Sequence, residues 1–389
     1  AAASQRQVNA GELRYNDAMA RLYGPGSPWE RLAAEQTTDL AELERQHAAN
    51  ERAAHRVVGL VVETRPDAVT PEALAELRRL GCTKVQIGVQ SLDERTLSLN
   101  ARCLSPARIA EAFALLRLFG FKIHAHFMAN LLGATPAADK RDYRRLVADP
   151  AFLPDEVKLY PCALVDGTGL MAHYRDGSWR SYTEEELLDV LVEDAAATPP
   201  YTRISRMIRD ISSHDIVAGN KKVNLRQLVE RRAEEAGVRF EEIRTREIGT
   251  DGADVDTLAL SVVAYETAVA SERFLQWTAP DGRIAAFLRL SLPFPSCVDD
   301  LRERFADFPI GPSEAMIREV HVYGAVAGLH RTSAGAQHLG LGKRLIEAAS
   351  SIAREDGCEA LNVISAVGTR EYYRGLGFQD KGMYQQKTL

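Results

Sequence analysis

Clustered cysteine is what this sequence most conspicuously lacks. Its five cysteines (Cys82, Cys103, Cys162, Cys297 and Cys358) are scattered over 389 residues, and no two form a C-x-x-C pair. That spacing argues against a zinc knuckle or a disulfide framework. It predicts reduced, mostly buried thiols and no metal site. No apolar run is long enough to span a membrane, and no secretory leader is recognisable. A cytoplasmic protein with no membrane partner is expected. Positive charge is not in excess either: 48 Lys and Arg stand against 54 Asp and Glu, a net charge of −6. Any nucleic-acid site must then be a local basic patch on an acidic body.

What is present reads as an ordinary globular chain, with 46% hydrophobic and 26% charged residues. Its length predicts two or three domains. Residues 1–56 carry charged helical patterns, interrupted at Gly24-Pro25-Gly26, and no catalytic constellation. From residue 57 to 211, strand and helix patterns alternate. Val57–Val62, Lys84–Ser91, Lys122–Met128, Glu156–Pro161 and Arg203–Ile208 read as strands. A helix with Thr70 as N-cap and Pro71 at its first position, a helix over Ser105–Phe119 and one beginning near Thr183 lie among them. Repeated βα units imply α/β architecture with a parallel sheet, closed or open as a partial barrel. Polar residues at the C-terminal ends of such strands are where active sites sit. Here they are Glu63, Arg65, Gln90, Ser91, His126, Lys158 and Tyr160.

Residues 212–250 form the most basic stretch, with Lys221, Lys222, Arg226, Arg231 and Arg232, and with Arg203, Arg206 and Arg209 just before it. Glu230, Glu234, Glu235, Glu241 and Glu242 in the same stretch make a solvated helix face the alternative reading. Residues 251–389 open with strand patterns over Leu258–Glu266, Arg273–Trp277, Arg283–Leu290 and Ala315–Val322. The segment Gln337-His338-Leu339-Gly340-Leu341-Gly342-Lys343 then runs straight into an amphipathic helix carrying Leu345, Ile346, Ala349, Ile352 and Ala353. Glycine lets backbone approach a ligand closely, and a helix start aims free N–H groups and a positive dipole end at that ligand. The pattern predicts a pyrophosphate site. A strand, Ala360–Ile364, and a short helix with Tyr372 and Tyr373 follow, ending in Gly375-Leu376-Gly377-Phe378.

This order resembles the coenzyme A half of a GNAT acyltransferase, whose Gln/Arg-x-x-Gly-x-Gly/Ala turn is matched by Gln337–Gly342. The wider series is longer. It comprises Glu63–Asp67, Gly88–Ser91, Lys158–Pro161, Gly167–Leu170, Arg209–Ile211, Asn224–Arg226, Arg244–Glu247, Glu319–Gly324 and Gly368–Arg374. In that order it resembles the Elongator catalytic subunit family and its single-chain bacterial and archaeal relatives. The resemblance implies a radical S-adenosylmethionine (SAM) barrel joined to a GNAT domain, with tRNA and acetyl-CoA as partners. The implied activity forms a carboxymethyl group on carbon five of the wobble uridine. It further implies that Glu319, Val320, His321 and Val322 meet the pantetheine arm. Gln337, Gly340, Leu341, Gly342 and Lys343 would meet the pyrophosphate. Tyr373 would act at the thioester, with Tyr372 and His321 as further catalytic candidates. Glu63, Arg65, Gln90, Ser91 and Lys158 would line the SAM cavity, and the basic residues from Arg203 to Arg232 would contact tRNA phosphates.

The chain departs from that family at its front, where the Gly-Gly-Thr strand that the family places before Glu63–Asp67 is missing. The family's cysteine trio, which ligates a four-iron four-sulfur cluster, has no counterpart, since no cysteine precedes Cys82. A truncated or cluster-less form is therefore expected, one that assembles neither the cluster nor its radical chemistry. A protein lysine acetyltransferase and a tRNA- and acetyl-CoA-binding scaffold stay open as alternatives. A homodimer and Elongator-type partner subunits are the assemblies the family allows.

Overall fold

A computed structural model describes residues 2–13, 15–208, 211–249, 255–323 and 340–389. Of the expected site residues, Gln337 and Arg209 lie outside the described residues. Four helices open the chain: α1 (Ala2–Asn9), α2 (Tyr15–Tyr23), α3 (Pro28–Glu35) and α4 (Leu40–Asn50). The βα units follow as β1 (Val61–Thr64), α5 (Pro71–Arg79), β2 (Lys84–Gln90), α6 (Glu94–Leu99), α7 (Pro106–Leu118), β3 (Lys122–Ala129), α8 (Pro136–Ala148), β4 (Glu156–Pro161), β5 (Leu164–Val165), α9 (Leu170–Arg175), α10 (Glu184–Ala197), β6 (Arg203–Arg206), β7 (Ile216–Ala218) and α11 (Leu225–Glu235). The helix starts obey local chemistry. Thr70, Ser105 and Thr135 each accept a backbone N–H from three residues on and are followed by proline. Thr183 and Glu186 close a reciprocal capping box.

Strands β1-β2-β3-β4-β6 form one parallel sheet in chain order, the open partial barrel. Its two faces differ sharply. Val85, Ile87, Val89, Ile123, Ala125, Phe127, Val157, Leu159 and Ile204 are buried in one continuous apolar core. The alternate positions are Lys84, Gln86, Lys122, His124, His126, Glu156 and Lys158. A parallel sheet covered by apolar layers on both faces would read as continuous hydrophobics. This alternation marks one face as a polar interior. Helix α11 adds Leu225 and Val229 to the same apolar core, so the basic stretch packs on the barrel rather than standing apart as a connector.

One expectation needs correction. The strand expected to open at Val57 begins at Val61. The carbonyl of Val57 instead accepts the N–H of Gly368, 311 positions further on in the numbering, at 2.7 Å. Val57 is thus turned to the C-terminal domain, whereas the Leu60 carbonyl accepts the Thr83 N–H at 3.1 Å and leads into the β1–β2 ladder that starts at Val61.

The C-terminal domain comprises β8 (Ala259–Glu266), β9 (Ala270–Thr278), β10 (Ile284–Pro293), α12 (Pro295–Arg304), β11 (Glu314–Val322), α13 (Leu341–Glu355), β12 (Ala360–Val363), α14 (Arg370–Arg374), β13 (Gln379–Lys381) and β14 (Tyr384–Thr388). Its sheet runs β13-β14-β12-β11-β10-β9-β8 and is mixed, with β11 and β12 parallel. The mixed sheet is compatible with a GNAT-like domain. Helix α13 buries Leu345, Ile346, Ala349 and Ala353 against it, as the 3.6-residue stripe predicts.

The two units meet through charge. On β11, Arg318 has no opposite number on β10, because Glu319 pairs with Arg289 and Ile317 with Leu290. This bulge sends Arg318 into the junction. Its guanidinium grips both oxygens of Asp155, at 2.6 and 2.7 Å, and Glu272 at 3.0 Å. Arg289 holds Glu319 at 2.9 Å and donates to the Tyr201 carbonyl at 2.6 Å. Lys122 bridges Glu319 and Glu156, and Lys84 also contacts Glu156. Arg318, Asp155 and Glu272 are fully buried. Burial alone would raise the Asp155 pKa, but the charges of Arg318 and Arg289 outweigh it and hold the carboxyl well below the usual range. Removing one partner of such a set leaves an uncompensated buried charge, at a cost of about 3–5 kcal/mol. Asp155→Ala is therefore expected to lower unfolding stability by about that amount at neutral pH in a denaturant titration. Because the folded pKa is depressed, the contribution is complete above the unfolded carboxylate value of about 4. The gap between parent and variant should narrow only on acidification below it. Equal stability at pH 7 would show that the junction does not depend on this carboxylate.

Candidate functional site

Strands β11 and β12 pair only over Glu314–Ile317 and Ala360–Val363, closed by the Ile364 N–H on the Ile317 carbonyl at 3.2 Å. Beyond that point β11 continues along β10 to Val322, while the chain after β12 turns away into α14. The strands part, and a cleft of about 250 Å³ opens between them. Ile317–Val320 form one wall, and Val363–Ala366, Thr369 and Tyr373 the other. The remaining wall comes from the barrel side: Val58, Gly59, Val61, Thr83, Lys84 and Lys122.

Helix α13 starts beside this cleft. Gly340 caps it at φ 67°, a left-handed conformation that favours glycine, with open space where a Cβ would be. A Cβ on Gly342 would lie 3.1 Å from the Tyr372 hydroxyl, 3.6 Å from Val322 and 4.0 Å from Val320. The turn thus sits against the same strand that lines the cleft. Leu341 is buried in the core beneath the turn, and Lys343 is exposed, 3.8 Å from Glu347.

Both tyrosines border this region, in different ways. Tyr373 lines the cleft, with its ring edge-on to Phe378 at 5.7 Å. Burial raises its pKa, so the hydroxyl stays protonated and able to donate. Tyr372 is 41% exposed and directs its hydroxyl at the glycine turn. His321 stacks on Phe287, with ring centres 5.5 Å apart, and meets the tilted ring of Tyr323 at 4.4 Å. Desolvation lowers its pKa and keeps the imidazole neutral. Burial pushes the Glu319 pKa up, but Lys122 and Arg289 outweigh it, so Glu319 remains a carboxylate.

The polar barrel face gathers a second group. His126 Nε2 is 2.8 Å from the Gln86 side-chain oxygen, which also accepts from Lys158 at 2.5 Å. Glu63 lies 3.6 Å from His126. His124 contacts Ser205 at 2.8 Å, and burial pushes its pKa down to about 2. Of the five residues expected around a SAM cavity, Glu63 and Lys158 thus converge, through Gln86 and His126. Gln90 ends β2 with φ 70°. Ser91 donates to Asp142 at 2.5 Å, and Arg65 pairs with Asp67 at 3.0 Å. Gln86, Lys84 and Lys122 were not singled out from the sequence. Their signal was present in the period-two polar alternation of β2 and β3.

The basic residues divide similarly. Arg226 is tied to the buried Glu242 at 2.6 Å and to Glu230 at 2.8 Å, and Arg203 to Glu247 at 2.5 Å. Lys222 reaches Glu184 at 2.6 Å, and Arg232 lies 3.7 Å from Glu185. Arg206, Lys221 and Arg231 are exposed.

Residues 29–145 match the Radical SAM superfamily model, and residues 154–235 the Radical_SAM C-terminal domain model. Among curated proteins, a Dehalococcoides mccartyi tRNA uridine(34) acetyltransferase is 35% identical over 355 residues, covering 89% of this chain and 75% of the relative. The chain belongs to the tRNA uridine(34) acetyltransferase and Elongator complex protein 3 family. The protein of that name from Methanocaldococcus infernus is 34% identical, and human Elongator complex protein 3 is also 34% identical. The chain spans 65% and 62% of their lengths. The solved structure of archaeal Methanocaldococcus infernus Elp3 with an N-terminal deletion superposes with a TM-score of 0.81 over 89% of this chain and 82% of that one, at 34% identity.

Family membership in the radical SAM group implies SAM and a four-iron four-sulfur cluster. The residues present do not fit the cluster. Cys82 and Cys162 are buried, Cys103 is exposed, and Cys297 and Cys358 belong to the C-terminal domain. Among the described residues no group of three or more His, Cys, Asp or Glu is placed to hold a metal. Nor is any helix among them long and apolar enough to cross a membrane. The cleft at the glycine turn has a direct test. Gly342→Glu puts bulk and negative charge between the helix start and Val322. A folded variant is expected to lose acetyl-CoA binding in calorimetry, whereas unchanged affinity would refute the site.

Proposed function

We propose that this chain is a tRNA wobble-uridine acetyltransferase that binds acetyl-CoA in the β11–β12 cleft. The observation that carries this reading is the parting of β11 from β12 beside the N-terminus of α13, within a chain of this family. The pyrophosphate would rest on the N–H groups of the Gly340–Lys343 turn. The pantetheine would pass Val320 and Val322 and place the thioester at the bulge beside Glu319 and Tyr373. Tyr373, protonated and lining the cleft, would give its proton to the departing thiolate. Tyr372, at the turn, would contact coenzyme A rather than the acetyl group.

On the barrel face, Gln86, His126, Lys158 and Glu63 supply donors and acceptors suited to a polar ligand such as SAM. Because the residues present do not fit the cluster that would cleave SAM, no radical step is assigned to them. Labelled acetyl-CoA, incubated with tRNA, with a lysine-bearing histone-tail peptide and alone, tests the reading. Turnover is expected to rise with tRNA and not with peptide. The reverse pattern would make the chain a protein lysine acetyltransferase, and binding without any turnover a scaffold. In the same assay Tyr373→Phe should lower turnover by about 10²-fold with little change in acetyl-CoA affinity. Equal turnover would leave Tyr373 a packing role.

We further infer that tRNA phosphates meet the exposed cations Arg206, Lys221, Lys222, Arg231 and Arg232. Arg203 and Arg226 support that surface through their internal ion pairs. Each phosphate contact releases counterions, so binding should weaken steeply with salt. Lys221→Glu with Lys222→Glu is expected to weaken tRNA binding. It should also reduce the salt slope by about 1.4–1.8 log units per log unit of salt, two contacts' worth, while acetyl-CoA binding is unchanged. Gel shifts across a salt series measure both. A slope equal to the parent's would exclude this face.

A further inference from the structure

We propose that Lys84 is an acetyl acceptor, and that the chain transfers an acetyl group from acetyl-CoA in the β11–β12 cleft to this lysine of its own barrel. The inference rests on the reading of that cleft as the acetyl-CoA site. Three observations lead to it. First, Lys84 opens β2 on the polar face and lines the same cleft as Glu319, Val320 and Tyr373. A lysine from the barrel thus stands where the C-terminal domain would offer its thioester. Second, its side chain is neither sealed in nor free: it is 19% exposed and contacts one carboxylate, that of Glu156.

Third, its neighbour separates the roles of the two lysines in this wall. Lys122 is held between Glu156 and Glu319. Burial works against its charge, but these carboxylates prevail and raise its pKa, so it is a fixed ammonium. At Lys84 burial is the largest influence and lowers the pKa; Glu156 and, more weakly, Glu319 pull it back up, Lys122 opposes them, and the net shift is downward. Burial beside a second cation favours the neutral amine, which is the form that attacks a thioester. Lys122, beside the same cleft, adds a positive charge where the oxygen of the tetrahedral intermediate would develop negative charge.

The step balances as an ordinary aminolysis. The Lys84 ammonium releases a proton to solvent, and its nitrogen attacks the thioester carbonyl. The new C–N bond forms, the C–S bond breaks, and the second nitrogen proton goes to solvent. Tyr373 protonates the thiolate and recovers its proton from solvent. The products are Nε-acetyl-lysine and coenzyme A, and no redox partner is needed. The modification neutralises Lys84 and ends its ion pair with Glu156, so acetyl-CoA supply would be recorded at the junction of the two domains.

The test uses the full chain with isotopically labelled acetyl-CoA, followed by intact mass and peptide mapping, with calorimetry run in parallel. One acetyl group per chain is expected, on the peptide containing Lys84. It should be absent in Lys84→Arg, which keeps the charge opposite Glu156, and absent in Gly342→Glu. Binding without label on Lys84, or label only on other lysines, overturns the proposal and leaves the cleft assignment standing. Label on Lys84 that persists in Gly342→Glu marks uncatalysed chemical acetylation and also overturns it. Failure of acetyl-CoA to bind at all overturns the cleft assignment and this proposal together.

Discussion

The fully buried guanidinium of Arg318 is the constraint on which the rest depends. It is placed by a bulge in the C-terminal sheet and neutralised by Asp155 of the barrel and Glu272 of its own sheet. A buried charge of this kind tolerates little displacement, because losing either partner exposes an uncompensated ion to an apolar interior. Its partners extend the constraint. Asp155 also accepts the N–H of Ile123 at 2.8 Å, which fixes the start of β3. The Arg289–Glu319–Lys122–Glu156–Lys84 series continues across the junction to β2 and β4. The same bulge that anchors the domains is the point beyond which β11 leaves β12. Anchoring the domains and opening the cleft are consequences of one backbone irregularity.

This gives the cleft a composite character. The elements proposed to face the coenzyme, the α13 turn and the tyrosine helix, come from the C-terminal domain, and the opposite wall of the cleft from residues 58–61, 83–84 and 122. The tyrosine helix is itself held from outside that domain. Glu51 pairs with Arg370 at 3.1 Å and Arg374 at 2.6 Å, and the Val57 carbonyl holds Gly368. The barrel therefore shapes the cleft proposed for acetyl-CoA as well as carrying its own polar face. That arrangement lets both units orient a ligand in one cleft, and binding and orientation are the protein's share of cofactor chemistry.

Much of this was legible in sequence where the determining residues are close together. Thr70-Pro71, Ser105-Pro106 and Thr183 with Glu186 announce helix starts within four residues. Gly340 and Gly342 mark the turn, because left-handed backbone and close approach are local needs. What was not legible depends on partners far away. Val57–Val62 has the apolar run of a strand, yet Val57 answers to Gly368. Ser91 has the position of a cavity residue but is claimed by Asp142, and Arg226 looks like a phosphate ligand but is claimed by Glu242. Lys84 and Lys122 become cleft residues only once the C-terminal sheet, some two hundred positions later, is laid against the barrel. The period-two alternation puts them on the polar face of their strands, but nothing within a local window tells a cleft lysine from a solvated one.

The central claim is that barrel and C-terminal domain together form one acetyl-CoA site. Hydrogen–deuterium exchange of the whole chain, with and without acetyl-CoA, tests it most directly. Added protection is predicted at the 340–346 turn and the 364–374 segment, and equally at residues 58–61, 83–84 and 122 on the barrel side. Protection confined to the C-terminal domain, with those barrel residues unchanged at saturating acetyl-CoA, would contradict the account.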